Sequence, residues 1–125
     1  MKENALSEKI IGCAIEVHKE IGPGLIESVY EEALCHEFSL AGIPFVRQQK
    51  VPINYKGVLL ATPLRLDLMV DERVIVDNKS KKELTEIDKQ QLLSYLRLTG
   101  FRLGLLINYN TLRLVDGIQR VINGF

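Results

Sequence analysis

The sequence predicts a mixed α/β domain, and three observations carry that expectation. Apolar residues ahead of Gly42 recur at helical spacing, and those after Pro44 alternate with period two. A helical pattern then returns at Thr85 and gives way to a last apolar strand. The order helix, helix, strands, helix, strands has no repeat, linker or low-complexity segment to divide it, so residues 1–125 read as a single domain.

Each element has its own warrant. Ile10, Ala14, Val17 and Ile21 line one side of a helix over residues 5–21, which the GPG of Gly22 to Gly24 stops. Val29, Ala33 and Leu34 mark a second helix over residues 25–40, and Gly42 stands where a left-handed helix cap belongs. Val51, Ile53 and Tyr55 alternate with polar residues, and Lys56-Gly57 makes a hairpin turn. Leu64, Leu66, Leu68 and Val70 alternate likewise and predict a strand with one apolar face. Val74, Val76 and Asn78 share one side of the next strand, with Ile75, Asp77 and Lys79 on the other. Thr85 and Asp88 resemble a capping box, Gly100 closes the helix they open, and FRLGLLIN is short enough to be a strand. The tail, residues 111–123, reads as strands on either side of Asp116-Gly117.

Composition excludes several functional classes. Hydrophobic residues make up 46% of the chain, enough for a packed core rather than disorder. The 16 basic and 16 acidic residues cancel, so overall charge attracts no polyanion and any such contact needs a local basic patch. Cys13 and Cys35 lack metal-ligand or redox spacing and read as buried thiols of a reducing compartment. MKENALSEK is charged rather than signal-like, and no apolar run reaches membrane-spanning length, which points to a cytoplasmic protein without a membrane partner.

The stretch RLDLMVDERVIVDNKS needs more explanation, because it sets Asp67, Asp77 and Lys79 among strand residues that otherwise want burial. If Asp71, Glu72 and Arg73 form the loop, Val70 faces Val74, Leu68 faces Val76, and Asp67 lies opposite Asp77. A slip of one residue mixes apolar and polar faces. A slip of two keeps the faces and pairs Asp67 with Lys79 in an ordinary ion pair. The first register opposes two like charges, which calls for a cation between them: Lys79 or a hard divalent ion such as Mg²⁺.

Further motifs bear on that choice. GPGLIESVY contains Gly24-x-x-Glu27-x-x-Tyr30 and follows IEVHKEI; ESVYEEAL, YKGV, QLLSYLRLTG, LGLLIN and DGIQRVING come after it in order. On these motifs the chain, from Ile15 to Gly124, resembles the GxxExxY family of the PD-(D/E)xK nuclease superfamily. The resemblance implies a restriction-endonuclease-like core, αβββαβ, with a mixed central sheet flanked by helices. It also implies a metal-dependent nuclease acting on nucleic acid, with DNA as the expected substrate and Mg²⁺, or Mn²⁺ in its place, as cofactor. Asp67 matches the superfamily's first aspartate, and Asp77, Asn78 and Lys79 match its (D/E)xK segment. Glu27 matches a carboxylate from an N-terminal helix, and Gln91 and Tyr95 resemble its QxxxY element. Leu66 replaces the proline of the motif's name. Where the GxxExxY family reads Glu-apolar-Lys, this chain has a shorter carboxylate at Asp77 and a polar Asn78, which implies weaker metal binding or activity.

The resemblance gives each residue a role, and each has a plainer alternative. Asp67 and Asp77 would hold the metal, with the Asn78 carbonyl as a third ligand and Glu27 joining through water or a second metal. Lys79 would orient or deprotonate the attacking water; otherwise it pairs with Asp67. Glu27 is otherwise a solvated helix carboxylate, as Glu31 and Glu32 are expected to be. Gln91 and Tyr95 share a helix face and would bind a phosphate or position Lys79; a Tyr95 packed under the sheet is the alternative. His18 reads as structural or surface-facing. Lys79, Lys81, Lys82 and Lys89 form the expected basic strip. The competing functional reading is a nuclease fold whose site has decayed and which binds nucleic acid or a protein partner, with a homodimer also open.

Overall fold

The structure, a computed structural model, describes residues 2–124. Met1 and Phe125, the ends of the expected domain, lie outside the described residues. Helices α1 (Lys2–Ile21) and α2 (Glu27–Ala41) form from the two predicted periodic segments. Gly42 caps α2 at φ +71°, a conformation that would strain any side-chain-bearing residue, and its N–H donates to the carbonyls of Phe38 and Ser39.

Strands β1 (Phe45–Val51), β4 (Leu64–Val70), β5 (Val74–Lys79), β6 (Leu103–Asn108) and β7 (Ile118–Ile122) make a five-stranded sheet in the order β1-β4-β5-β6-β7. All neighbours are antiparallel except β5 and β6, which α3 (Glu86–Thr99) joins as a parallel crossover. The result is a mixed sheet flanked by helices, as expected of a restriction-endonuclease-like core. Pro52 interrupts what the alternation reads as one continuous strand. The chain beyond it makes β2 (Asn54–Tyr55) and β3 (Val58–Leu59), a separate hairpin turning at Lys56-Gly57. The tail differs as well: Leu114–Gly117 is a 3-10 turn, so a strand stands only after Asp116-Gly117.

Two cores cover the two faces of the sheet. Ile10, Ala14, Tyr30, Leu34 and Phe38 of α1 and α2 pack on Leu68, Val70, Val74 and Val76. Leu92 and Leu96 of α3 pack on Leu64, Leu66, Met69, Ile75 and Leu106. Leu66 and Leu68 therefore face opposite ways, although strict alternation gives them one face. The face changes at Asp67, and in β1 the residue across from it, Gln48, is left-handed at φ +55°. A shared buckle in β1 and β4 is the physical reason.

Outside the site, polar groups settle locally. His18 Nε2 meets the Thr111 carbonyl at 2.8 Å, a structural role. Cys13 and Cys35 are unpaired, and burial pushes the Cys35 thiol up to about 11. Asp88 Oδ2 accepts the Thr85 N–H at 2.8 Å, the reciprocal half of the expected cap. Among the described residues no helix is long and apolar enough to cross a membrane.

Gly104 fixes how closely α3 approaches the sheet. A Cβ there would stand 2.9 Å from both Cγ and Cδ2 of Leu92, whose side chain is fully buried. Gly104→Ala is expected to cost about 1–3 kcal/mol by overpacking, and Leu92→Val in the same chain to restore part of it. Urea melts of the single and double variants measure both.

Candidate active site

The cross-strand pairs Leu68↔Val76, Met69↔Ile75 and Val70↔Val74 fix the hairpin register. Asp71 and Glu72, at φ +49° and +53°, make the tight turn. The register that opposes Asp67 and Asp77 is thus the one adopted, and the two-residue slip is not. Cross-strand pairing stops at Leu68↔Val76. Beyond it, the Asp67 side chain reaches across to β5, and its Oδ2 accepts the Asn78 N–H at 2.9 Å. A side chain has taken a place that a strand carbonyl would otherwise fill.

This arrangement gathers the catalytic candidates at one end of the sheet. Asp77 is 4% exposed, and its Oδ1 lies 3.4 Å from Lys79 Nζ. Lys79 thus pairs with Asp77 rather than with Asp67. Its ammonium also donates to Gln91 Oε1 at 3.2 Å, so Gln91 holds the lysine from α3. Tyr95, one turn further along that helix, is half-buried against the α3-side core and close enough to feel the charge of Asp77. It combines the two positions weighed for it, packed beneath the sheet and beside the site.

Glu27 arrives by a different route. Tyr30 Oη donates to the Gly22 carbonyl at 2.6 Å and accepts the Leu25 N–H at 3.0 Å, which shapes the turn before α2. Ser80, next after Lys79, donates to the Leu25 carbonyl. The first residue of α2, Glu27, is thereby brought into the field of Asp67 and Lys79 while remaining exposed. The Tyr30 ring stacks on Tyr109 at 4.4 Å, and Tyr109 Oη donates to Asn78 Oδ1 at 3.2 Å. Asn78, expected to break an apolar face, is fully buried there with a tyrosine partner, although its Nδ2 has none.

Three residues at the site carry no sequence signal. Glu31 is 5% exposed rather than solvated. It accepts from Arg47 Nε at 2.6 Å and from Gln48 Nε2 at 2.9 Å. These bonds tie α2 to the buckle opposite Asp67, and Glu27, Glu31, Arg47, Gln48 and Asp67 line a cleft of about 550 Å³. Only the fold brings a mid-helix glutamate to an edge strand, so no local spacing announces it. The expected basic strip is also thinner than its four lysines: Lys79 is occupied by Asp77, and Lys81 by Asp88 at 2.9 Å.

The electrostatics limit what the site can hold. Burial pushes the Asp77 carboxyl up to about 7; the Lys79 charge works against this, and neighbouring Asp67 adds to it. Burial raises Asp67 too, opposed by the Asn78 N–H and reinforced by Glu31. Glu27 is raised by burial and then by Asp67. Burial works to lower Lys79, but Asp77, Glu27 and Asp67 outweigh it, so the lysine is raised and cationic. Asp77 Oδ2 is buried and no N–H donates to it, while the Asp77 and Asp67 carboxyls lie close enough to share a proton. Carboxylate oxygens in mutual repulsion, one of them orphaned, fit a hard divalent cation. Among the described residues no three His, Cys, Asp or Glu side chains converge on one point. An ion here would therefore complete its shell with water or backbone oxygen, as Mg²⁺ commonly does.

Comparison with known families bears on the chain as a whole. The family model described as PD-(D/E)XK nuclease superfamily matches residues 4–121. The chain belongs to that superfamily. PD-(D/E)XK nucleases generally use divalent metals, and membership implies nuclease activity and nucleic-acid binding. No curated protein and no solved structure matches the chain.

The orphaned oxygen generates a test that needs no cleavage. Asp67→Asn removes one of two repelling charges and offers an amide N–H to Asp77, while its oxygen can still accept the Asn78 N–H. In chelator at neutral pH this variant is expected to melt above the wild type. With Mg²⁺ the order should reverse, since an ion at a hundredfold its Kd stabilises the wild type by about 2.7 kcal/mol. Thermal melts of both proteins in both conditions decide it; a wild type indifferent to Mg²⁺ would mean a simple ion-pair site.

Proposed function

We propose that this chain is a Mg²⁺-dependent nuclease of the GxxExxY type, folded as one domain and cleaving phosphodiester bonds in DNA. The observation that carries the reading is the buried Oδ2 of Asp77, to which no group donates, beside Asp67 and Lys79. In this reading Asp67 and Asp77 are the metal ligands, with the Asn78 carbonyl as a third and Glu27 joining only through water. A divalent ion held there supplies Lewis-acid polarisation of the scissile phosphate and a more acidic bound water.

The protein's own groups do the rest. Lys79, cationic and tethered by Gln91, donates to a phosphate oxygen or to the attacking water, which fits its raised affinity for the proton better than service as a base. Glu27, exposed with a raised carboxyl, is the group free to take a proton from that water. Tyr95 lies within the field of Asp77, and Gln91 fixes the direction of the ammonium.

The second reading, a decayed site, rests on Asp77-Asn78 in place of Glu-apolar-Lys. Against it stands the accommodation of both changes. Asn78 is taken up by Tyr109, and Asp77 keeps Asp67 and Lys79 as neighbours.

Incubation of single- and double-stranded DNA with Mg²⁺ or Mn²⁺ tests the proposal. Wild type should cut and chelator should stop it. Asp67→Ala and Lys79→Ala should each lose roughly 10²–10⁴-fold in rate. Variants that cut as fast as wild type would place the activity elsewhere.

A further inference from the structure

We propose that Lys50, Arg65 and the β2–β3 hairpin form a nucleic-acid grip beside the carboxylate site, a reading that rests on the nuclease function proposed above. Lys50 and Arg65 are direct cross-strand partners in β1 and β4. Like charges so placed repel each other and cost stability. Both residues are exposed, and no ion pair among the described residues involves either. Leu64 and Leu66, which flank Arg65, pack toward α3. Arg65 and its partner therefore project from the other face, the one on which α2 begins at Glu27. Arg65 also stands just two residues before Asp67.

The hairpin leaves the sheet at the same end. β1 and β5 are both antiparallel to β4, so they run in one direction, and the chain after Val51 emerges where the chain after Lys79 does. Ile53 roots the hairpin in the α3-side core. At its tip Tyr55, Val58 and Leu59 are 58%, 59% and 66% exposed, and Lys56 Nζ lies 5.5 Å from the centre of the Tyr55 ring.

An apolar tip at the same end of the sheet as an unneutralised basic pair suits one kind of occupant. A nucleic-acid strand brings phosphates for the cations and base or sugar faces for the tyrosine and aliphatic groups. An apolar protein surface would cover the tip and leave Lys50 and Arg65 opposed. The grip also supplies the local positive charge that a chain of zero net charge needs to hold a polyanion, and that Lys79 and Lys81, engaged with carboxylates, do not offer freely.

Oligonucleotide binding in chelator across a salt series, followed by steady-state cleavage with Mg²⁺, tests this on the full chain. The Lys50→Gln/Arg65→Gln variant should lower the slope of log K against log salt by about 1.8 on duplex, or about 1.4 on single strands. It should raise KM while keeping kcat, and it should melt no lower than wild type because a repulsive pair is gone. Tyr55→Ser/Leu59→Ser should weaken binding with the slope unchanged. A salt slope that does not move in the charge variant overturns the grip. So does a hairpin variant that binds normally while a wild-type dimer falls apart in sedimentation, which would make the tip a self-association surface. A wild type that binds as described but never cuts refutes the nuclease reading and leaves the grip standing. A wild type that cuts, with KM unmoved in the charge variant, refutes the grip alone.

Discussion

A single hydrogen bond organises the site: the Asp67 carboxylate takes the Asn78 N–H at 2.9 Å. It exists because the β4–β5 ladder gives way beyond Leu68↔Val76, and it keeps the parted strands from simply fraying. One oxygen of Asp67 is thereby fixed, and Asp77 is held next to it in a place too dry for two free charges. Lys79 then has a carboxylate to pair with, and Gln91 on α3 has a lysine to hold.

The buckle that frees Asp67 has its own cost and its own support. Gln48 sits in a left-handed conformation that non-glycine residues avoid, typically at about 1–3 kcal/mol. Its amide donates to Glu31, and Glu31 is at the same time clamped by Arg47. A buried ion pair is weak evidence for stability, but here it serves geometry, pinning α2 against the distorted edge strand. Helix and strand irregularity therefore hold each other in place, and the cleft at Asp67 lies between them.

Much of this was legible in the sequence, for identifiable reasons. The helices declared themselves by period and by the glycines that end them, and refusing to mix apolar and polar faces narrowed the hairpin to two registers. One of the two opposes Asp67 and Asp77, and the choice between them lies in the loop length, which apolar patterning does not set. Such patterning failed where alternation itself fails: four evenly spaced apolar residues, Leu64 to Val70, imply one face, and only a backbone distortion sends Leu66 and Leu68 to different cores. It failed again for Glu31, because its partners are brought near by the packing of α2 on β1 rather than by proximity in the chain. Asn78 looked like a defect because Tyr109, its partner, belongs to a distant segment.

The stacked rings of Tyr30 and Tyr109 bear on how such a chain can change. One ring belongs to the N-terminal helices and shapes the turn that delivers Glu27; the other follows β6 and holds Asn78. The two halves of the molecule thus share a joint rather than merely a boundary. A chimera exchanging only the helical half with a relative's would inherit a ring cut to fit someone else's tyrosine. Drift at either position is constrained by the other, so recombination within this fold should respect the pair even where overall similarity has worn away.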